Sequence, residues 1–291
     1  ALLALPVPGL TMVQLQALSA ALLACGAPIQ EINTVRKHLS AIQGGRLAAA
    51  CRAPVLALVI SDVTGDDPTH IASGPCAPDP TTCADAAAIL AKYGVTPPGP
   101  FLETPKPGDP AFDAVENRVI ATAHRSLEAA ADVFHAGGVQ PVILGDTITG
   151  EASEVAKVMA ALVREVRAYG SPWKPPLALI SGGECTVTLR DKGGRGGRCS
   201  EFLLALGIAL EGTENVWAIA ADTDGIDGSE ANAGAVLDPR TLERARARGC
   251  DARRLLEAND AYGFFAALDS LVTTGPTLTN VNDYRAIVVA P

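Results

Sequence analysis

Apolar residues fall on a helical stripe over 12–25, where Leu15, Leu18 and Leu22 recur and Gly26 closes the pattern. A second helical pattern covers 29–50, and a third covers 82–93 and stops at Gly94. Between them, 55–60 reads VLALVI, an unbroken apolar run that predicts a strand buried on both faces. Residues 94–113 carry Pro97, Pro98, Pro100, Pro105, Pro107 and Pro110 and read as a linker. Beyond it, strand patterns at 119–122, 139–144, 177–180, 216–221 and 284–290 alternate with helical ones at 124–136, 150–169, 198–211, 239–248 and 252–268. Residues 185–190 alternate like an exposed edge strand. The expected fold is therefore α/β: two α/β domains, 1–110 and 111–291, with mainly parallel sheets and a cleft between them.

Composition supports a packed protein. Hydrophobic residues make up 48% and charged ones 19%, which excludes disorder, and with 4% aromatics the core must be built from Ala, Leu, Val and Ile. The formal charge of −9, with no basic run, argues against nucleic acid or a membrane as main partner. A local arginine cluster remains compatible with a phosphorylated ligand. The seven cysteines are scattered, and no Cys/His grouping has zinc spacing, so reduced thiols in a cytoplasmic protein fit best. The opening ALLALPVPGL has no basic segment before it and is broken by Pro6, Pro8 and Gly9. It is expected to be neither signal peptide nor membrane span, and to begin inside a domain. Homo-oligomer formation is left open.

Ligands of open α/β sheets bind where strands end, so the turns after the apolar runs are the places to look for chemistry. After VLALVI comes Ser61-Asp62-Val63-Thr64-Gly65-Asp66-Asp67, with carboxylates suited to Mg²⁺ or to accepting a proton from an alcohol; capped turns use the same residues. After 177–180 comes Ser181-Gly182-Gly183-Glu184. Then Gly193, Gly194, Arg195, Gly196 and Gly197 lead into Arg198 at a helix start, a pattern that lets backbone N–H groups and a guanidinium approach phosphate. It is neither a Walker A loop nor a dinucleotide fingerprint. An arginine at that position should add little to stability. After VWAIAA, Asp222-Thr223-Asp224-Gly225-Ile226-Asp227-Gly228 superficially has calcium-loop spacing, but Ile226, Asp227 and Ala233 fall where an EF-hand needs an acid, a glycine and a glutamate. The stretch 273–283 collects hydroxyls and amides in one turn. The four histidines suggest no catalytic arrangement.

Several of these segments resemble, in order, the class of glycerate 2-kinases whose C-terminal module is called the MOFRL domain, some members of which carry the older label hydroxypyruvate reductase. The matching stretches are Asn33-Thr34-Val35-Arg36-Lys37-His38-Leu39-Ser40 with Gly44-Gly45-Arg46-Leu47, Ser61-Asp62-Val63 through Gly74-Pro75, Ser181-Gly182-Gly183-Glu184, Gly196-Gly197-Arg198 with Glu201, Thr223-Asp224-Gly225-Ile226-Asp227-Gly228, and Thr274-Gly275-Pro276-Thr277 with Asn280-Val281. They span nearly the whole chain. The resemblance implies ATP- and Mg²⁺-dependent phosphoryl transfer to the 2-hydroxyl of D-glycerate. It also implies a further N-terminal portion, with a Gly-rich segment and a catalytic lysine, ahead of what is given. Cys199-Ser200 and Leu278 depart from the family's usual Asn-Gln and Gly.

Under this reading Arg198 stabilises the transferring phosphoryl group and Asp62 shares the catalysis. Gly193, Gly194, Gly196 and Gly197 cradle the nucleotide phosphates, and Asp66 and Asp67 hold the metal. Arg36, Ser181, Gly182, Gly183, Glu184, Asp224, Asp227, Thr277 and Asn280 bind substrate. The competing readings are an NAD(P)H-dependent reductase, for which no strand–GxGxxG–helix is present, and a non-catalytic ligand-binding module of the same fold.

Overall fold

The computed structural model describes residues 3–63, 65–190, 193–211 and 213–291. The chain divides into two compact units, one ending at Ile120 and one beginning at Ala121. Both mix helices and strands, as the alternation predicted.

The first unit contains α1 (Met12–Ala24), α2 (Ile29–His38), α3 (Arg46–Ala49), β1 (Val55–Ile60), α4 (Cys83–Lys92) and β2 (Val115–Ala121). Thr11 starts α1 with a reciprocal capping box to Gln14. Leu15, Leu18 and Leu22 of α1 then pack with Ile32 and Val35 of α2 and Ala86 and Leu90 of α4 into one core. The helix expected over 29–50 breaks after His38 because Gly44 and Gly45 are left-handed, at φ 61° and 84°. A side-chain carbon on Gly44 would lie 2.6 Å from Thr104 Cγ2, and one on Gly45 2.6 Å from Phe112 Cζ. The glycines thus admit the proline-rich stretch, which is no linker. It is bound into this unit, with the Arg46 guanidinium donating to the carbonyls of Lys37, Ser40, Gln43 and Leu102. The boundary therefore falls at 120/121 and not at 110/111. β1 is also less buried than its sequence suggested. It pairs in a two-stranded sheet with β2, and Leu56 and Leu58 are 53% and 59% exposed.

The second unit runs α5 (Ala123–Ala136), β3 (Gln140–Gly145), β4 (Gly150–Glu151), α6 (Ala152–Tyr169), β5 (Leu177–Ser181), β6 (Cys185–Thr186), α7 (Arg198–Ala209), β7 (Val216–Asp222), β8 (Gly234–Leu237), α8 (Thr241–Ala247), α9 (Ala252–Glu257), α10 (Ala261–Ala266), β9 (Leu271–Val272) and β10 (Asp283–Val289). Its six-stranded sheet has the order β3-β5-β10-β7-β8-β9, and β4 pairs with β6. The main core lies between that sheet and α6 and α7, around Val163, Phe202, Leu203, Leu206 and Ile287. On the opposite face Leu127 of α5 covers Ala178 and Ile180 of β5.

Strand direction is mixed in the six-stranded sheet. β3 and β5 run parallel, but β10 is antiparallel to both β5 and β7, and β8 is antiparallel to both β7 and β9. An apolar strand sequence reports burial on both faces and carries no direction. The consequence for chemistry is specific. The last strand enters the sheet centre head-on to its neighbours, so its first residue, Asp283, stands opposite the last residue of β7, Asp222.

Candidate functional site

Four segments of the second unit meet at the sheet edge where β5 and β7 end: the turn Gly182–Glu184, the start of α7, the turn from Asp222, and the start of β10. At their meeting point the Arg198 guanidinium is held by carboxylates. Its Nε donates to Asp283 Oδ1 at 2.7 Å and its Nη2 to Asp222 Oδ2 at 2.6 Å, while Nη1 lies 3.3 Å from Glu184 Oε1. Asp222 and Asp283 are buried, Arg198 is 24% exposed, and Glu184 reaches solvent.

This cluster has more acid than base. Burial works against the charge on Arg198, but Asp283, Asp222 and Glu184 more than offset it, and the arginine holds its proton more tightly than usual. Burial pushes Asp222 up to about 6, and the nearby Asp224 and Asp283 charges add to that; the Asp224 N–H and Arg198 oppose it. An acidic surplus of this kind favours an added cation.

The glycine-rich approach to α7 serves a different purpose from the one its sequence suggested. A side-chain carbon at Gly197 would lie 2.3 Å from Asp227 Oδ1, and one at Gly194 2.2 Å from the Ala258 carbonyl oxygen. A carbon at Gly228 would lie 2.3 Å from the Gly196 carbonyl oxygen. These glycines let protein backbone approach protein backbone. The helix start is likewise taken by protein: the N–H groups of Cys199 and Ser200 donate to the two Asp227 carboxylate oxygens at 3.0 and 2.8 Å, and the Ser200 hydroxyl donates as well. Asp227 is fully buried. It is a capping carboxylate from a distant loop, placed where the dipole and free N–H groups favour an anion. A phosphate cradle formed by Gly194, Gly196, Gly197 and the α7 N-terminus, and substrate contact through Asp227, do not match this geometry.

The other predicted residues divide. Ser181 is buried at the end of β5, and Gly182 and Gly183 press against the 146–148 turn, Gly183 so closely that a side-chain carbon would lie 2.4 Å from Ile148 backbone atoms. Asp224 is half-buried and accepts from the Ile226 N–H at 2.8 Å. Thr277 and Asn280 are exposed and serve their own turn: the Thr277 hydroxyl bonds the Thr223 carbonyl, and the Asn280 side chain accepts from the Asn282 N–H. Leu278, 92% exposed, sits at φ 61°, a conformation suited to glycine.

In the first unit Asp62 is exposed. Asp66 is half-buried with φ 54°, and the exposed Asp67 accepts from the Thr69 N–H at 2.8 Å. Among the described residues neither belongs to a group of three His, Cys, Asp or Glu side chains whose ligand atoms lie close together, and the same holds of Glu184 and Asp224. Arg36 is half-exposed and has no side-chain hydrogen bond or ion pair to a described residue. Downstream, Ala72, Ser73 and Gly74 are all left-handed, at φ 51°, 62° and 59°, a strained turn of the kind that clusters at functional sites.

Sequence reasoning noted Asp222 and Asp283 in their turns but gave neither a role and missed their pairing, and it passed over Arg285. The first two clamp Arg198. Arg285, buried, donates to the Gly182 and Ile148 carbonyls and to Cys185 Sγ, which ties the Gly182–Glu184 turn to β10. Only their positions at strand ends hinted at them, and no sequence signal pairs 222 with 283.

Residues 1–101 match a family described as a domain of unknown function (DUF4147), and residues 177–283 match the MOFRL family. An Agrobacterium vitis protein provisionally named hydroxypyruvate reductase is 51% identical over 99% of this chain and 67% of its own length. The D-glycerate 2-kinase of Thermotoga maritima is 40% identical over 96% of this chain and 67% of its own. A crystal structure of a glycerate kinase from the same organism superposes with a TM-score of 0.91 at 39% identity, covering 99% of this chain and 70% of that one. The chain thus spans about two thirds of the length of these relatives. None of its described helices is long and apolar enough to cross a membrane.

Proposed function

The chain belongs to the glycerate 2-kinase family, and from that premise we propose that it transfers a phosphoryl group from ATP, with Mg²⁺, to the 2-hydroxyl of D-glycerate. The observation that carries this reading is the Arg198 cluster. Phosphoryl transfer is mostly positioning and charge stabilisation, and it calls for a fixed cation near the moving phosphoryl oxygens. Two of the five Arg198 N–H groups donate to Asp283 and Asp222, which fixes the guanidinium plane, and Nη1, paired only by charge with Glu184, keeps donors for an oxygen anion.

The donor set fits Mg²⁺, which takes one or two carboxylates and completes its shell with water and phosphate oxygens. Glu184, which reaches solvent, and Asp224 are the carboxylates that would hold it. Bound there, the ion supplies charge neutralisation to the phosphates.

Hydride transfer from NAD(P)H, the activity named for the Agrobacterium relative, has less support. A dinucleotide's pyrophosphate needs a free helix N-terminus behind a glycine turn, and at α7 that place is taken by Asp227. The test is the complete protein with D-glycerate, ATP and Mg²⁺, its product identified by ³¹P NMR, beside hydroxypyruvate with NADH. ADP together with 2-phosphoglycerate is the expected result. NADH oxidation without ADP formation refutes the proposal.

A further inference from the structure

Away from the Arg198 cluster, three segments of the first unit bring together an imidazole, a thiol and a carboxylate. His38 is the last residue of α2, Cys83 the first of α4, and Glu103 lies in the proline-rich stretch. Their donor atoms all lie within 4.8 Å of one another. We propose that His38, Cys83 and Glu103 form a binding site for a borderline divalent transition ion of the Zn²⁺ class.

The histidine is prepared as a ligand. Its Nδ1 lies 2.9 Å from the Thr34 carbonyl one turn back, so that nitrogen carries the proton and Nε2 offers its lone pair. A carbonyl partner on the far nitrogen is the usual outer support of a metal-bound histidine. Nε2 is buried, has no hydrogen-bond partner, and lies 3.4 Å from Glu103 Oε1. That carboxylate oxygen already accepts from the Lys106 ammonium, so the buried imidazole lone pair is what remains for a cation, either a proton or a metal ion.

The third donor argues for the metal. Burial and the Glu103 carboxylate, to which it donates, keep the Cys83 thiol protonated; an entering ion takes the place of that proton and gains the sulfur as a third ligand, which a proton shared by His38 and Glu103 would not engage. Bonds of about 2.0–2.3 Å to one ion hold tetrahedral ligands roughly 3.3–3.8 Å apart, so the three donors would draw together by about an ångström on binding. A mixed N, S and O set selects Zn²⁺ or its analogues over Mg²⁺ and Ca²⁺, which take oxygen alone.

The carboxylate is held in register by the Cys83 N–H, which donates to Glu103 Oε2 at 3.1 Å. Burial opposes its charge, but Lys106 and Cys83 hold its carboxyl down at about 2, so it is ionised. Lys106 is also the competitor: its ammonium sits on Glu103 Oε1 and must withdraw when an ion enters. At 35% side-chain exposure it has water to withdraw into. The site joins residues 45 and 20 positions apart, a spacing with no zinc signature, and so was invisible in the sequence. Metal binding here would cross-link the end of α2 to the start of α4 and to the stretch that closes over them. The inference stands apart from the kinase reading.

The test is titration of chelator-stripped full-length protein with Co²⁺ and Zn²⁺, without nucleotide. One ion per chain is expected, with a thiolate-to-cobalt charge-transfer band in the near ultraviolet and a melting temperature raised by Zn²⁺. Cys83→Ser should abolish the band. Glu103→Gln, at a half-exposed side chain that keeps its amide oxygen for the Cys83 N–H, should weaken binding by more than the roughly 10–100-fold that loss of an outer-shell partner costs. Lys106→Met should tighten it. Absence of binding, a cobalt complex without the sulfur band, or unchanged affinity and stoichiometry in both Cys83→Ser and Glu103→Gln overturns the site. Unchanged or weaker binding in Lys106→Met overturns the part assigned to Glu103.

Discussion

Two acidic turns follow apolar strands in this protein, after VLALVI and after VWAIAA, and in sequence they look alike. Their fates differ. After β1, Asp62 and Asp67 are exposed, and Asp67 caps its own turn. After β7, Asp222 clamps Arg198 while Asp227 is buried whole beneath the start of α7. β1 has a single strand partner, so its end lies near water, whereas β7 sits inside a six-stranded sheet with α7 packed over its end. Burial turns an aspartate from a solvated turn residue into a group that must find a partner. The chemistry of a strand-end acid therefore depends on what is stacked around the strand.

The change that should separate the two turns most is Arg198→Ala. It leaves Asp222 and Asp283 buried without their cation, and the expected cost is about 3–5 kcal/mol in denaturant unfolding, with kcat of the complete kinase down on the order of a thousandfold. This replaces the sequence expectation that Arg198 is dispensable for folding. A variant that unfolds like the parent would show the clamp to be incidental.

Next comes Asp227→Ala. It orphans two helix N–H groups and the Ser200 hydroxyl, and should cost about 3 kcal/mol in the same measurement. A loss confined to activity, with stability intact, would return Asp227 to a substrate role.

Asp222→Asn sharpens the contrast through pH. The folded carboxyl titrates at about 6, above the usual 3.9 or so. The folded state therefore binds more protons across that window, and this group's contribution to stability falls as pH rises through it. The stability difference between parent and variant should change by roughly 1–3 kcal/mol from pH 4 to 7, with the parent relatively more stable at the acid end. A flat difference curve would show Asp222 to be an ordinary surface-like acid.

The smallest effect is expected from Asp67→Ala in the first turn, within about 0.5–1 kcal/mol by melting, since only a turn contact is lost. A larger loss would erase the distinction between the two turns.

Much of the fold could be read from the chain alone. Leu15, Leu18 and Leu22 marked α1, Gly26 and Gly94 stopped their helices, and the apolar runs located β5, β7 and β10, because helix and strand periodicity are local properties that a hydrophobic core enforces residue by residue. Resemblance placed Arg198 and the Gly182–Glu184 turn in the candidate site. What the sequence could not hold was pairing. The direction of β10, the meeting of Asp222 with Asp283, the capping of α7 by Asp227, the glycines that seat backbone on backbone, and the convergence of His38 with Cys83 and Glu103 all join residues 20 to 85 positions or more apart. Such contacts leave no local pattern. They follow from which surfaces are buried together, and only the tertiary structure decides that.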